Sequence, residues 1–274
     1  LLSMIIIINS NVNIINVNDI YILHFNCKYI YKYILIYIRM AQIISIEGNI
    51  GTGKSSMLDN LRIYISKILN NPQNIRDLQN KKILEDKGVV SMNNIAFLPE
   101  LVDEWVQLKD NNNKNILECY YYNKKRWGYT FQMNVIVSRI KNIVKNGDKK
   151  IIFIERSLFT DKNIFSKLLY DNGDLNDLEW KLYNETYTIL KNFYKKTDYY
   201  IYLKCSPEIS LHRINKRSRK GEHNISLKYI KNLDTRHNDL LLKNNKTIII
   251  NANNDITDKN YSLDILNTIF KGIV

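Results

Sequence analysis

Gln42-Ile43-Ile44-Ser45-Ile46-Glu47 runs without a break into Gly48-Asn49-Ile50-Gly51-Thr52-Gly53-Lys54-Ser55, and this stretch sets the fold class. The first part is a short β-branched run that ends in glycine, the pattern of a buried strand. The second matches G-x-x-x-x-G-K-[ST] in full. After Ser56, the residues Leu58, Leu61, Ile65, Ile68 and Leu69 recur at three- and four-residue spacing, which predicts an amphipathic helix. In this strand–loop–helix context the glycines let backbone N–H groups turn around phosphate oxygens, and the helix start offers its positive dipole end. Lys54 supplies a point charge to the outer phosphates, and Ser55 a hydroxyl to magnesium. Residues Gly48 to Ser56 are therefore expected to hold a nucleoside triphosphate. They do not say what accepts the phosphate.

Outward from this stretch, Ile95–Leu98, Ile151–Glu155, Tyr199–Leu203 and Thr247–Asn251 are further short apolar runs. Long helical patterns separate them, notably 127–146, 175–195 and 225–243. Such alternation predicts an α/β protein with a central parallel five-stranded sheet flanked by helices. The polar, Asn-rich segment 70–94, with Pro72 and Gly88, reads as an inserted loop or irregular helix. No internal repeat and no interior linker rich in Gly, Pro or Ser divides the chain, so 41–274 is expected to be one domain.

Residues 1–40 stand apart, being almost wholly Ile, Asn, Tyr and Leu. Asn and Asp interrupt the first Ile tract, and Lys28, Lys32 and Arg39 the second, so no run reaches the roughly 18–20 apolar residues of a spanning helix. No small-residue cleavage site follows a basic start. The expectation is a disordered or non-native extension, with the working protein starting at Met40. A membrane-associated segment is the alternative.

The chain has 274 residues, 45% hydrophobic and 24% charged, a globular balance. Nine Gly and three Pro exclude collagen-like and Pro-rich classes. Cys27, Cys119 and Cys205 lie far apart and form no CxxC, which argues against a zinc ribbon or a disulfide scaffold and fits a reducing, cytoplasmic setting. A net charge of +13 permits a polyanionic or phosphorylated partner. The abundance of Ile, Asn, Tyr and Lys is what A/T-rich codons favour, so charge alone leads us to expect no nucleic acid.

The acceptor has to come from other strand ends. Pro99-Glu100 follows the second strand, where a carboxylate faces the ligand crevice of a parallel sheet and can take a proton from an attacking hydroxyl. Taken alone, such a Glu is more often a solvated charge. Glu155-Arg156-Ser157 ends the third strand, with Asp161 close behind. Gln132 and Arg139 lie two helical turns apart on one face with Val135 and Ile136. A Gln and an Arg on an apolar stripe require buried partners. The basic run from Arg213 to Lys220 suits a phosphate clamp, or a helix C-terminus complementing its dipole.

In chain order, GNIGTGKS, PELVDEW, RWGYTFQ, SRI, ERSLFTD and LHRINKRSRKGE closely resemble the deoxyribonucleoside kinase family, of the deoxycytidine, deoxyguanosine and deoxyadenosine kinase type. The resemblance spans about residue 42 to the C-terminus. It implies a P-loop kinase fold with an arginine-bearing lid, and transfer of the γ-phosphate of ATP or another NTP to a deoxynucleoside 5′-hydroxyl. In that scheme Glu100 is the base, Arg156 holds Glu100 and the hydroxyl, and Lys54 serves the phosphates. Ser55 and Glu155 position Mg2+. Trp105, Leu117, Phe131, Val135 and Phe165 wall the base, Gln132 contacts its edge, and Tyr121 and Glu222 bind the 3′-hydroxyl. An Arg139–Asp161 pair disfavours thymidine. Arg213, Arg217 and Arg219 form the lid, and Asp255 and Ile256 contact the donor base.

The family also implies a homodimer acting on small molecules, with neither nucleic acid nor membrane as partner. The sequence departs from the family pattern at Leu101, where Pro is usual, at the variable pocket position Tyr120 and in the 70–94 insertion. Two other readings stay open. A nucleoside monophosphate kinase of the thymidylate type would need an Asp-Arg-aromatic motif where Glu155-Arg156-Ser157 stands. A catalytically inactive nucleotide- or nucleic-acid-binding relative is the other.

Overall fold

The strands Gln42–Glu47 (β1), Ile95–Leu98 (β2), Ile151–Glu155 (β3), Tyr199–Lys204 (β4) and Thr247–Asn251 (β5) form one sheet in the order β2-β3-β1-β4-β5. Every pairing is parallel. The computed structural model describes residues 41–193, 196–219, 222, 225–254, 266–270 and 272. The 1–40 segment, Asp255 and Ile256 lie outside the described residues. The sheet agrees with the sequence expectation, with β4 one residue longer.

Parallel strands covered on both faces read as continuous apolar runs, which is why these Ile-rich segments lack alternation. In chain order the helices are α1 (Lys54–Asn70), α2 (Ile75–Asp86), α3 (Val102–Gln107), α4 (Ile116–Tyr122), α5 (Lys124–Lys145), α6 (158–171), α7 (Asp177–Leu190), α8 (Pro207–Arg217) and α9 (Leu227–Leu241). Leu58, Leu61, Ile65 and Ile68 of α1 pack on the sheet face made by Ile44, Ile46, Phe153 and Leu203. Ile143 of α5 packs with Ile43, Ile152 and Ile154 on the opposite face. Because the strands are parallel, the residues after β1, β2 and β3 converge at one edge of the sheet, where open α/β sheets bind ligands.

The 70–94 segment is more regular than its composition suggests. It contains the 12-residue α2, whose first turn is capped by the Asn74 side chain accepting from Asp77 N at 2.8 Å. Its buried residues are Asp77, Asn80 and Leu84, so it presents no apolar stripe to read. It is held by polar contacts instead. Asn80 Nδ2 donates to Tyr64 Oη at 3.1 Å, and Asp77 lies 3.7 Å from Lys67 Nζ.

His237 on α9 has no solvent exposure; its ring stacks on Tyr202, with centroids 6.1 Å apart, and meets Phe165 edge-on at 5.8 Å. Nδ1 lies 2.7 Å from the Leu233 carbonyl. Burial, reinforced by the nearby positive charge of Arg156, pushes its pKa down to about 3. The unfolded chain therefore takes up this proton near pH 6.5 and the folded protein only near 3, so stability falls as pH drops through that window. Denaturant titrations between pH 7 and 4 should show the acid slope shallower in His237→Phe than in the parent, by about 1.4 kcal/mol per pH unit. Parallel slopes would mean that His237 is protonated in the folded protein.

Candidate active site

The phosphate loop leaves β1 with glycine at the positions where backbone or space demands it. Gly51 has φ +80°, and a Cβ there would come within 2.5 Å of the Ser210 carbonyl. Gly53 is the left-handed N-cap of α1, with open space around it, so its requirement is purely conformational. Asn49 ties the loop to α9, donating from Nδ2 to the Ile230 carbonyl at 2.9 Å and accepting from Ile50 N at 2.8 Å. Its carbonyl accepts from Thr52 Oγ1 and from Lys54 Nζ, at 3.1 and 2.8 Å. Burial, then the Arg156 charge, lowers the Lys54 pKa to about 7, and Glu155 and Glu100 offset this only in part. Phosphate oxygens at this point would restore the ammonium.

The acceptor side is built from the ends of β2 and β3. Arg156 adopts φ +68°, a left-handed conformation that costs a non-glycine residue roughly 1–2 kcal/mol. Its N–H still donates to Ile46 O at 3.0 Å, extending the β1–β3 ladder. Its guanidinium lies over the Phe165 ring, 4.3 Å from the centroid, with Nε 3.4 Å from Glu100 Oε1. Arg139 Nη2 reaches the same carboxylate oxygen at 3.0 Å. Burial raises the Glu100 pKa, but Arg156, then Arg139 and Lys54, outweigh it and hold the group at about 2. The carboxylate is thus ionised at any working pH.

Arg139 is a hub. It also donates from Nη1 to the Glu155 carbonyl at 2.6 Å and from Nε to Asp161. Its own pKa is raised despite burial because Asp161 and Glu100 face it. Ser55 Oγ donates to Glu155 Oε2 at 3.0 Å, bringing the hydroxyl and carboxylate expected at a metal together.

These two sides line one cavity of about 260 Å³ and meet in it: Glu155 Oε2 accepts from Ser55 Oγ at 3.0 Å and from Glu100 N at 3.4 Å, and Arg156 Nη1 donates to the Gly48 carbonyl at 3.4 Å. The volume is close to the ~300 Å³ lower bound for small-molecule sites. A model of the deoxynucleoside kinase family matches residues 82–274. Over 237 residues the chain is 32% identical to a fowlpox virus protein described as a probable deoxycytidine kinase, covering 83% of this chain and 86% of that one. Human deoxycytidine kinase is 30% identical over 253 residues, 80% of this chain and 87% of its own. Mitochondrial deoxyguanosine kinase of Xenopus laevis is 28% identical over 263 residues, 84% and 89%. This chain belongs to the deoxynucleoside kinase family.

The deoxynucleoside kinase is accordingly an ATP-dependent phosphotransferase with the P-loop kinase fold, and it acts on an alcohol acceptor. Of the residues expected at its acceptor site, Trp105, Leu117, Tyr121, Phe131, Gln132, Val135, Asp161, Phe165 and Glu222 line the cavity with Glu100 and Arg156. Arg139 does not; it stands behind Asp161 and Glu100. Phe131 is wedged between Trp105, edge-on at 5.3 Å, and Tyr120, stacked at 4.5 Å. Trp105 Nε1 donates to Ser138 Oγ at 3.2 Å, which fixes the indole.

At the lid, Arg217 grips Glu222 through Nε and Nη2, at 2.9 and 2.8 Å, and Arg219 Nη1 lies 3.4 Å from the same carboxylate. Both arginines line the cavity. Arg213 does not, because its guanidinium donates to the carbonyls of Ala252, Asn253 and Asn254 at 2.8, 3.0 and 3.0 Å. Ser56 is exposed on α1, outside the cavity. Asp255 and Ile256, next along from those carbonyls, fall outside the described residues.

Sequence reasoning missed Tyr229 and Asp103 as cavity residues and left Tyr120 unassigned. Tyr229 sits in the first turn of α9, its ring 3.5 Å from Lys124 Nζ and its hydroxyl 3.4 Å from that of Tyr120. No local pattern marks a residue that arrives from so distant a helix.

Proposed function

We propose that this kinase phosphorylates the 5′-hydroxyl of deoxycytidine or a purine deoxynucleoside in preference to thymidine, with ATP and Mg2+. The observation that carries the proposal is the cavity in which the phosphate loop adjoins a doubly clamped Glu100. A nucleoside whose 5′-oxygen meets Glu100 aims it along the line to Lys54 and Ser55. Phosphoryl transfer through a loose transition state needs positioning and charge stabilisation more than a strong base, so a carboxylate of low pKa suffices to take the proton. Arg156 steadies both the carboxylate and the hydroxyl. Lys54, Arg217 and Arg219 bring positive charge to the phosphate end of the cavity. Among the described residues no Ser, Cys or His other than the phosphate-loop Ser55 lines the cavity, and we take transfer to be direct.

Among the described residues no cluster of three or more His, Cys, Asp or Glu forms a metal site by itself. The Ser55 hydroxyl and Glu155 carboxylate, 3.0 Å apart, are hard oxygen donors that suit Mg2+ completed by phosphate oxygens and water. Such an ion supplies charge neutralisation on the transferred phosphoryl group.

Base preference rests on Asp161 and Gln132, both buried and both lining the cavity. The Arg139–Asp161 pair puts polar groups where a thymine methyl would need apolar space. Relatives described as deoxycytidine and deoxyguanosine kinases are consistent with this choice. Residues 41–274 act as the kinase domain.

The α7 stripe Leu178, Leu182 and Ile189, exposed together with Val137 of α5, suits a homodimer interface. Among the described residues no helix is long and apolar enough to cross a membrane, and we place the enzyme in the cytoplasm with small molecules as its partners. Measuring kcat/KM for the four deoxynucleosides tests the proposal. Thymidine should fall at least about tenfold below the best substrate. Thymidine as the best substrate refutes the base assignment, and phosphorylation of no nucleoside refutes the whole reading.

A further inference from the structure

We infer that Ser166 sets the polarity of Gln132 and thereby selects nucleobases whose Watson–Crick edge carries an amino group beside a ring-nitrogen acceptor, cytosine and adenine, over guanine and thymine, whose ring nitrogen on that edge carries a hydrogen. This deepens the proposed function and rests on its placement of the base against Gln132.

The helical segment 158–171 is not uniform. Leu158–Thr160 and Lys167–Asp171 are α-helical, and Asp161–Ser166 between them is a π-helix. Asp161 and Phe165, four residues apart, both line the cavity, while Ser166 bonds to the neighbouring α5. There Ser166 Oγ donates to Gln132 Oε1 at 2.9 Å, and both residues are buried.

A glutamine amide can turn over and present either an acceptor or a donor at a given point. Here the Ser166 hydroxyl donates to the carbonyl oxygen, which holds the amide in one of its two orientations. Among the described residues Gln132 Nε2 has no partner, yet it is not a sealed orphan, because Gln132 lines the cavity. The amide N–H is the group left for the base.

An N–H aimed at the base edge complements a ring nitrogen with a free lone pair, while the second lone pair of Oε1 can accept from an adjacent amino group. Cytosine and adenine offer that combination. Guanine and thymine carry a hydrogen on the corresponding ring nitrogen, so donor meets donor, and a buried clash of this kind is heavily discriminating. Ser166 does not touch the substrate in this scheme. It is a positioning residue.

The test compares the parent with S166A, S166T and Q132A, using steady-state kinetics with deoxycytidine, deoxyadenosine, deoxyguanosine and thymidine, and thermal unfolding of each protein. The parent should favour deoxycytidine and deoxyadenosine. In S166A the deoxycytidine-to-deoxyguanosine ratio of kcat/KM should fall about three- to tenfold, the worth of one neutral hydrogen bond, through KM with kcat within about twofold. S166T keeps the hydroxyl and should restore the ratio. An unchanged ratio in S166A, or a folded S166T that behaves like S166A, overturns the inference. Q132A separates this from failure of the base-site reading. If Q132A lowers kcat/KM for the amino bases while S166A changes nothing, the base site stands and the Ser166 role falls. If Q132A changes nothing either, the placement of the base is wrong and both fall.

Discussion

Glu100→Gln lowers kcat by about 10²- to 10⁴-fold, the usual worth of a positioned general base, while KM for the nucleoside stays within a few-fold. The substitution is close to isosteric. The Gln side-chain oxygen still accepts from Arg139 Nη2 and from Arg156, at 3.0 and 3.4 Å in the parent, so the cavity wall keeps its shape and only proton acceptance is lost. The pH profile provides a second readout. With the Glu100 carboxylate held at about 2, its ionisation is complete far below any assay pH, so the acid limb of kcat belongs to other groups. The residual activity of Glu100→Gln should therefore keep the parent's acid limb. Near-normal kcat in the variant removes Glu100 as the base, whatever its position in the cavity.

Arg139→Leu has the largest expected effect on stability. The guanidinium is buried and engages Asp161, Glu100 and the Glu155 carbonyl together. Its removal leaves the Asp161 carboxylate with almost no exposure and without its guanidinium partner. Breaking one side of a buried ion pair costs about 3–5 kcal/mol, most of it from the stranded charge. For a chain of this size that corresponds to a melting temperature lower by on the order of 10 °C. Neutralising the stranded group in Arg139→Leu/Asp161→Asn should recover part of the loss, a coupling of about 1–3 kcal/mol measurable by urea unfolding of the parent, both single variants and the double. Additive single effects would mean that the pair is not a unit in solution. Activity should fall in Arg139→Leu as well, because Glu100 loses one of its two guanidinium clamps and its pKa rises.

Parts of this site were legible from local sequence because their chemistry is contiguous. The phosphate loop needs glycines, Lys54 and Ser55 within one strand–loop–helix unit, and the five strands announce themselves as short runs rich in Ile or in aromatic and other apolar residues. The α2 segment could be read only as an inserted loop or irregular helix for the opposite reason, since its buried face is Asp77, Asn80 and Leu84 rather than an apolar stripe. The need of Arg139 for buried partners could be read from its helical face, and Asp161 was named as one. That Glu100, 39 residues away, was another could not, because nothing local links the end of β2 to the middle of α5. Arg213 shows the same limit. A basic run looks alike whether an arginine faces phosphate or caps the carbonyls of 252–254.

Local pattern alone determined the layered α/β architecture and the triphosphate loop, since strand burial, helix periodicity and phosphate binding each depend on neighbours a few residues apart. The acceptor chemistry was implied instead by the resemblance of six ordered motifs to a known family. Folding alone decided that Arg139 joins Arg156 on the carboxylate of Glu100, that Tyr229 comes to line the cavity and that Ser166 holds Gln132. Those arrangements arise when parallel strand ends and a π-turn bring distant residues into one buried volume, where the low dielectric makes each pairing obligatory.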